Sequence, residues 1–239
     1  MHAYDTIVNF FKQGGFFLYP IALIWAIGIV IAIERFAYLT RVGTGNRRHW
    51  DELQPLFEAG NYKQAMNVVQ ASGTALAQVM KYGLSRIQTA RRRDDIEKAM
   101  EESLVEVIPR LERRTHYLAA LANIGMLMGL FGTVLGLINA FAAVATANPA
   151  EKASLLSASI SVAMNNTALG LLVAITLLLS HLYLETKTTN IVDSLEVASI
   201  KFMNTLTERQ QRAAAAGATA AAAAAPVARS AGEVRGARA

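Results

Sequence analysis

Three long stretches of this chain carry almost no charge, and that feature limits its fold more than any other. Residues 16–39 hold no charge before Glu34 and Arg35, and residues 118–147 and 155–184 contain no Asp, Glu, Lys or Arg. A helix rises 1.5 Å per residue, so roughly 20 apolar residues cross the hydrocarbon core of a bilayer. Each stretch is long enough. The second and third exceed a perpendicular crossing, which predicts tilt or projection beyond the bilayer. The expected fold is an all-α membrane protein with three transmembrane helices and long cytoplasmic helical extensions.

The rest of the chain holds the charge. Charged residues make up 17% of the sequence, against about 25% in soluble domains, and they crowd outside the spans. Residues 1–15 read as a short amphipathic lead with Phe10 and Phe11, continued by Phe16 and Phe17, suited to the bilayer interface. The apolar run after it is too long for a cleavable signal. Residues 40–117 read as a basic helical domain: a VGTGN linker, a helical hairpin over WDELQPLFEAG and NYKQAMNVVQAS, then helix from about Thr74. Pro109 is expected to kink the last of these helices. Residues 148–154 form a tight turn. Residues 185–212 continue as a polar helix with Ile191, Leu195, Ala198, Phe202 and Leu206 on one stripe, and the Ala-rich 213–239 reads as a disordered tail. Basic residues concentrate in 40–117 and after 184. Positive-inside logic therefore puts those parts in the cytoplasm, and the N-terminus and the turn outside.

Several chemistries drop out. The chain has no cysteine, and His2, His49, His116 and His181 show no ligand spacing. No nucleophile–base set or phosphate loop is visible, so neither an enzyme nor a cofactor site is expected. The net charge of +5 fits a membrane surface better than nucleic acid.

The spans have internal structure. Gly125, Gly129, Gly132 and Gly136 recur at spacings of four, three and four, and Gly170 in the third span is a further candidate for helix packing. Such small-residue seams let helices approach closely in lipid. Thr133 and Asn139 add polar groups to the second span, and Ser157, Ser159, Ser161, Asn165, Asn166 and Thr167 make the first half of the third span polar. Unsatisfied amides are costly in hydrocarbon. These groups must therefore face other helices, as interhelical glue, or a hydrated lumen. Thr133 and Thr167 lie at one depth, roughly 18–20 Å from the outer ends at 1.5 Å per residue. Thr133, Thr167, Asn166 and Ser159 are the candidates for lining a pathway. No span carries a central acid or lysine, so proton relay by side-chain titration would need an acid from a partner.

Glu34 and Arg35 read as an interfacial anchor pair. His181, near a span end, fits either a proton acceptor at the cytoplasmic exit or, the commoner role there, an interfacial group. Arg91–Arg93 fit either anionic headgroups or a solvated helix face beside their neighbouring acids.

In order of parts the chain resembles the MotA/TolQ/ExbB proton-channel family, and within it the ExbB and TolQ branch. Residues 14–35, GGFFLYPIALIWAIGIVIAIER, look like that family's first span. MGLFGTVLGLINAF at 128–141 resembles its motif LGLLGTVxGxxxxF, and ISVAMNNTALGLLVAI at 160–175 resembles the third-span motif ending TALGLxVAIP. The resemblance covers roughly 10–205. It implies a homopentamer in a bacterial inner membrane, enclosing the single spans of an ExbD- or TolR-like dimer. A partner aspartate would carry protons past hydroxyls at positions matching Thr133 and Thr167. The resulting work would reach a TonB- or TolA-like protein. The chain departs from the pattern at Val162, where many relatives have glutamate, at Asn166, and at Thr176 in place of proline. The competing reading is a scaffold subunit that assembles without conducting ions.

Overall fold

The computed structural model describes residues 15–87 and 93–236. The amphipathic lead, with Phe10 and Phe11, and Arg91 and Arg92 lie outside the described residues. Among those described, the chain is helical: α1 Leu18–Ala59, α2 Tyr62–Ala71, α3 Ala75–Arg86, α4 Arg93–Glu112, α5 Thr115–Thr146 and α6 Lys152–Gly236. Three of these runs are long and apolar enough to cross a membrane.

The chain divides into two compact units. The first takes Met1–Arg41 with Pro109–Ile191, the second Val42–Ile108 with Val192–Ala239.

In the first unit, Gly15 has φ +71°, and its carbonyl accepts from the Leu18 amide, so the chain turns into α1 here. Pro20 sits in the first turn, where a missing N–H costs nothing. The three apolar segments do not bury equally. The most apolar window of α6 is 33% buried within the chain, against 17% for α1 and for α4–α5. α6 is therefore the helix that the other two share. Leu177, on α6, lies where a Cβ on Gly28 of α1 would fall, and the indole Nε1 of Trp25 donates to the Thr176 hydroxyl at 3.0 Å. Large apolar side chains are left on the surface of all three helices, among them Leu23, Val30, Leu127, Phe141, Met164 and Leu179. In water this would be untenable; it is the surface of a protein that meets lipid or other apolar helices.

The helix does not end at Pro109. Proline is tolerated inside α4, which runs on to Glu112, and the break comes at Arg113–Arg114. Arg114 adopts φ +69°, a left-handed conformation that costs a non-glycine residue roughly 1–2 kcal/mol.

In the second unit a core forms around Phe57 and Phe202, whose ring centroids lie 4.8 Å apart, with Leu53, Leu76, Met80 and Met100 fully enclosed. Gly83 lets Met100 and Phe202 close on α3. The VGTGN segment is not a linker: it lies inside α1. Tertiary contacts override its low helix propensity. Gly45 packs against Thr74, and buried Asn46 accepts from the Leu76 amide at 3.2 Å. That amide belongs to the first turn of α3, which has no helical partner for it. Thr74 caps the same turn by accepting from the Ala77 amide. Gly60, at φ +75°, makes the corner between α1 and α2, and the Arg209 guanidinium fills the space a Cβ would need. Tyr62 lies close by. Its hydroxyl is buried without a partner, and burial pushes its pKa up against a smaller lowering by Arg209.

α6 is unbroken to Gly236 and takes in the Ala-rich segment expected to be disordered. Alanine is the residue that a helix penalises least.

Candidate functional site

α5 and α6 run antiparallel and meet along the glycines. A Cβ on Gly125 would fall 2.8 Å from Val173, and one on Gly136 3.0 Å from the Cβ of Ala163. Between these, a Cβ on Gly129 would lie 2.9 Å from the Asn166 carbonyl oxygen and 3.0 Å from the Gly170 Cα. One on Gly170 would lie 2.9 Å from the Gly125 carbonyl oxygen. Gly125, Gly129, Gly132, Gly136 and Gly170 lie along one continuous α5–α6 contact, and at its centre backbone touches backbone. Val173 and Ala163 complete the seam. They carry no polar mark, so nothing in the sequence singles them out.

The polar residues divide between two environments. Asn166 is 3% exposed and lies against Gly132, whose added Cβ would meet its side chain at 3.0 Å. Its Oδ1 has no partner. Asn166 was expected to line a pathway, but it is enclosed in the seam. Its chemistry is right for a lumen, but Gly132 leaves a slot that takes its side chain inward. Ser159 is half-buried. Thr167 is also half-buried and donates to the Gly129 carbonyl at 3.3 Å, across the helix pair. Thr133 donates to the Leu130 carbonyl of its own helix at 2.6 Å. Each threonine interrupts an exposed apolar stripe: Met126, Leu130 and Leu137 flank Thr133, while Met164 and Leu171 flank Thr167.

A second polar cluster closes the other end of the first unit, where α4 gives way to α5. Arg35, 4% exposed, donates from Nη2 to the Leu111 carbonyl, one of the last carbonyls of α4. A guanidinium at a helix C-terminus satisfies a free acceptor and complements the helix dipole. Glu34, one residue earlier, pairs with Arg114 at 3.0 and 3.1 Å. The adjacent residues of α1 thus hold the chain on both sides of the break. From α6, His181 Nδ1 reaches the Thr115 carbonyl at 3.1 Å. Lys187 donates to the Thr40 hydroxyl and lies 4.3 Å from the centre of the Phe36 ring.

Residues 71–197, more than half of the chain, match the MotA/TolQ/ExbB proton channel family. The chain belongs to that family. It is also 27% identical over 206 residues to a biopolymer transport protein ExbB homolog of Methanothermobacter thermautotrophicus, covering 81% of this chain and 68% of the relative. Within the MotA/TolQ/ExbB family the chain is ExbB-like, a multi-pass membrane subunit of the proton-channel and motor type. The matched region contains α5, the turn and the membrane part of α6, so the glycine register and both threonines fall inside it. Neither α5 nor residues 155–184 of α6 carries an acid. Sequence reasoning noticed Arg35 and His181 singly. It missed their partners, Leu111 and Thr115, because both contribute backbone carbonyls.

Proposed function

We propose that this chain is the stator subunit of an ion-driven motor of the ExbB/TolQ type. Five copies would enclose the single spans of an ExbD- or TolR-like dimer in a bacterial inner membrane. Residues 40–117 and those after 184 would lie in the cytoplasm, with the N-terminus and the 148–154 turn outside. Proton entry would drive motion of the enclosed helices, with the work delivered to a TonB- or TolA-like protein. The observation that carries this reading is the pair of threonine hydroxyls at one membrane depth, each set in an exposed apolar stripe. No span of this subunit carries an acid near its centre, so the titrating carboxylate belongs to the partner.

The test is Thr133→Val and Thr167→Val, which keep shape and remove the hydroxyl. The complex should still assemble, as read by its mass in detergent, while proton-dependent transport or envelope function fails. Full function in both variants would refute the motor and leave the scaffold.

A further inference from the structure

His181 lies further along α6 than Thr167, about 20 Å at 1.5 Å per residue. Its Nδ1 is 3.1 Å from the Thr115 carbonyl oxygen. A carbonyl can only accept, so Nδ1 carries the hydrogen and the lone pair of the neutral ring is on Nε2. Nε2 faces Glu185 Oε2 at 3.6 Å, one turn on. The imidazole side chain is 19% exposed and the Glu185 side chain 59%. The pair is thus a short path from a sheltered base to a wet carboxylate. The tautomer is held by α5 and the acid supplied by α6.

Four other charges near this level, Glu34, Arg114, Arg35 and Lys187, are engaged elsewhere. Glu34 of α1 pairs with Arg114, Arg35 donates to the Leu111 carbonyl, and Lys187 is held by Thr40 and Phe36. His116 and Arg113 are exposed on the α4–α5 side. A neutral imidazole has one donor and one acceptor nitrogen, so it can take a proton on Nε2 while Nδ1–H stays bonded.

We propose that His181 is the inward proton acceptor of this subunit, resting on the motor reading above. A proton released inward from the partner's acid reaches the Nε2 lone pair through water and forms an N–H bond, giving imidazolium. That bond then breaks, the proton passes to the Glu185 carboxylate and on to cytoplasmic water, and the ring returns to neutral. The Nδ1–H stays on the Thr115 carbonyl throughout.

The experiment uses the complex drawn from its own membranes through a tag on this chain and placed in vesicles with a pH dye inside. His181→Gln keeps an N–H donor for the Thr115 carbonyl but cannot take a proton. It should lower proton flux roughly tenfold or more and flatten its dependence on cytoplasmic-side pH. Glu185→Gln should shift that profile without abolishing flux. In parallel, ¹⁵N NMR of histidine-labelled full chain should show the Nδ1–H tautomer for His181 at alkaline pH. Wild-type flux and pH profile in His181→Gln, with flux lost in Thr167→Val, would overturn this inference alone. No flux in the wild-type complex would overturn the motor reading and this one with it. An Nε2–H tautomer would overturn it even if His181→Gln failed to assemble.

Discussion

Thr133 and Thr167 hang their hydroxyls on neighbouring carbonyls of one helix, Thr133 on Leu130 and Thr167 on Gly129. The two come from antiparallel helices, yet their hydroxyls are fixed within one residue's rise of each other along α5, about 1.5 Å. Neither hydroxyl is the sole partner of its carbonyl, which also accepts within α5. As each hydroxyl donates in its bond, its oxygen keeps its lone pairs for a third group.

Because of this, removing either hydroxyl should hardly loosen the fold. Thr167→Val gives up one interhelical bond, worth about 0.6 kcal/mol in membrane proteins, and Thr133→Val gives up a bond inside its own turn. Thermal melts of the detergent-solubilised chain should move by a few degrees at most. A large drop would mean that the threonines serve packing first.

The seam should behave in the opposite way. A methyl group on Gly129 or Gly170 meets backbone at 2.9–3.0 Å, and backbone cannot rotate away. Gly129→Ala and Gly170→Ala should each cost about 1–3 kcal/mol as overpacking. Gly73, with nothing within 4 Å of its Cβ position, is the control. Gly73→Ala should stay within about 0.5 kcal/mol of wild type, and equal melts for all three variants would contradict the geometry.

At the α4–α5 break, two neighbouring residues should have unequal effects. Arg35→Met strips a buried helix-end carbonyl of its donor, a loss of about 1–3 kcal/mol. Glu34→Gln removes only a half-exposed ion pair, worth at most about 1 kcal/mol and weakened by salt. Chemical unfolding in detergent at low and high ionic strength should separate the two. The Glu34 effect alone should shrink in salt.

Tyr62 gives an alkaline prediction. Its folded-state pKa is raised by burial, so the native state holds the phenolic proton more tightly than the unfolded chain. The resulting stability is complete below the unfolded value near 10 and is lost as pH rises from there through the folded value. Tyr62→Phe should flatten that loss. At neutral pH it should be nearly neutral or slightly stabilising, since the hydroxyl it removes is buried and unpartnered. A clear destabilisation at pH 7 would reveal a partner for the phenol.

The parts of this architecture that could be read ahead rest on one-dimensional signals. Lack of charge over 118–147 and 155–184 marks two helices, and the spacing of Gly125, Gly129, Gly132 and Gly136 marks the face of α5 that packs. Counting residues from a tight turn placed Thr133 and Thr167 at one depth. What was missed inside the two packed units concerns residues whose surroundings are set by a distant neighbour. Gly43 and Gly45 disfavour helix, but α1 continues because Asn46 is needed by the first turn of α3. The helix break at Arg113–Arg114, which Arg35 and Glu34 hold on both sides, has no turn residue to announce it. Asn166 looks like a lumen residue until Gly132 is seen to leave it a slot. No local pattern records who sits across the interface.

The close register between α5 and α6 also has a mechanical meaning. With backbone against backbone at Gly129 and Gly170, there is no slack through which one helix could slide past the other without rebuilding the whole contact. The two helices and their turn should therefore act as a single strut, stiff along its length. Any stroke this subunit takes part in must be absorbed at that strut's outer faces, and not within it.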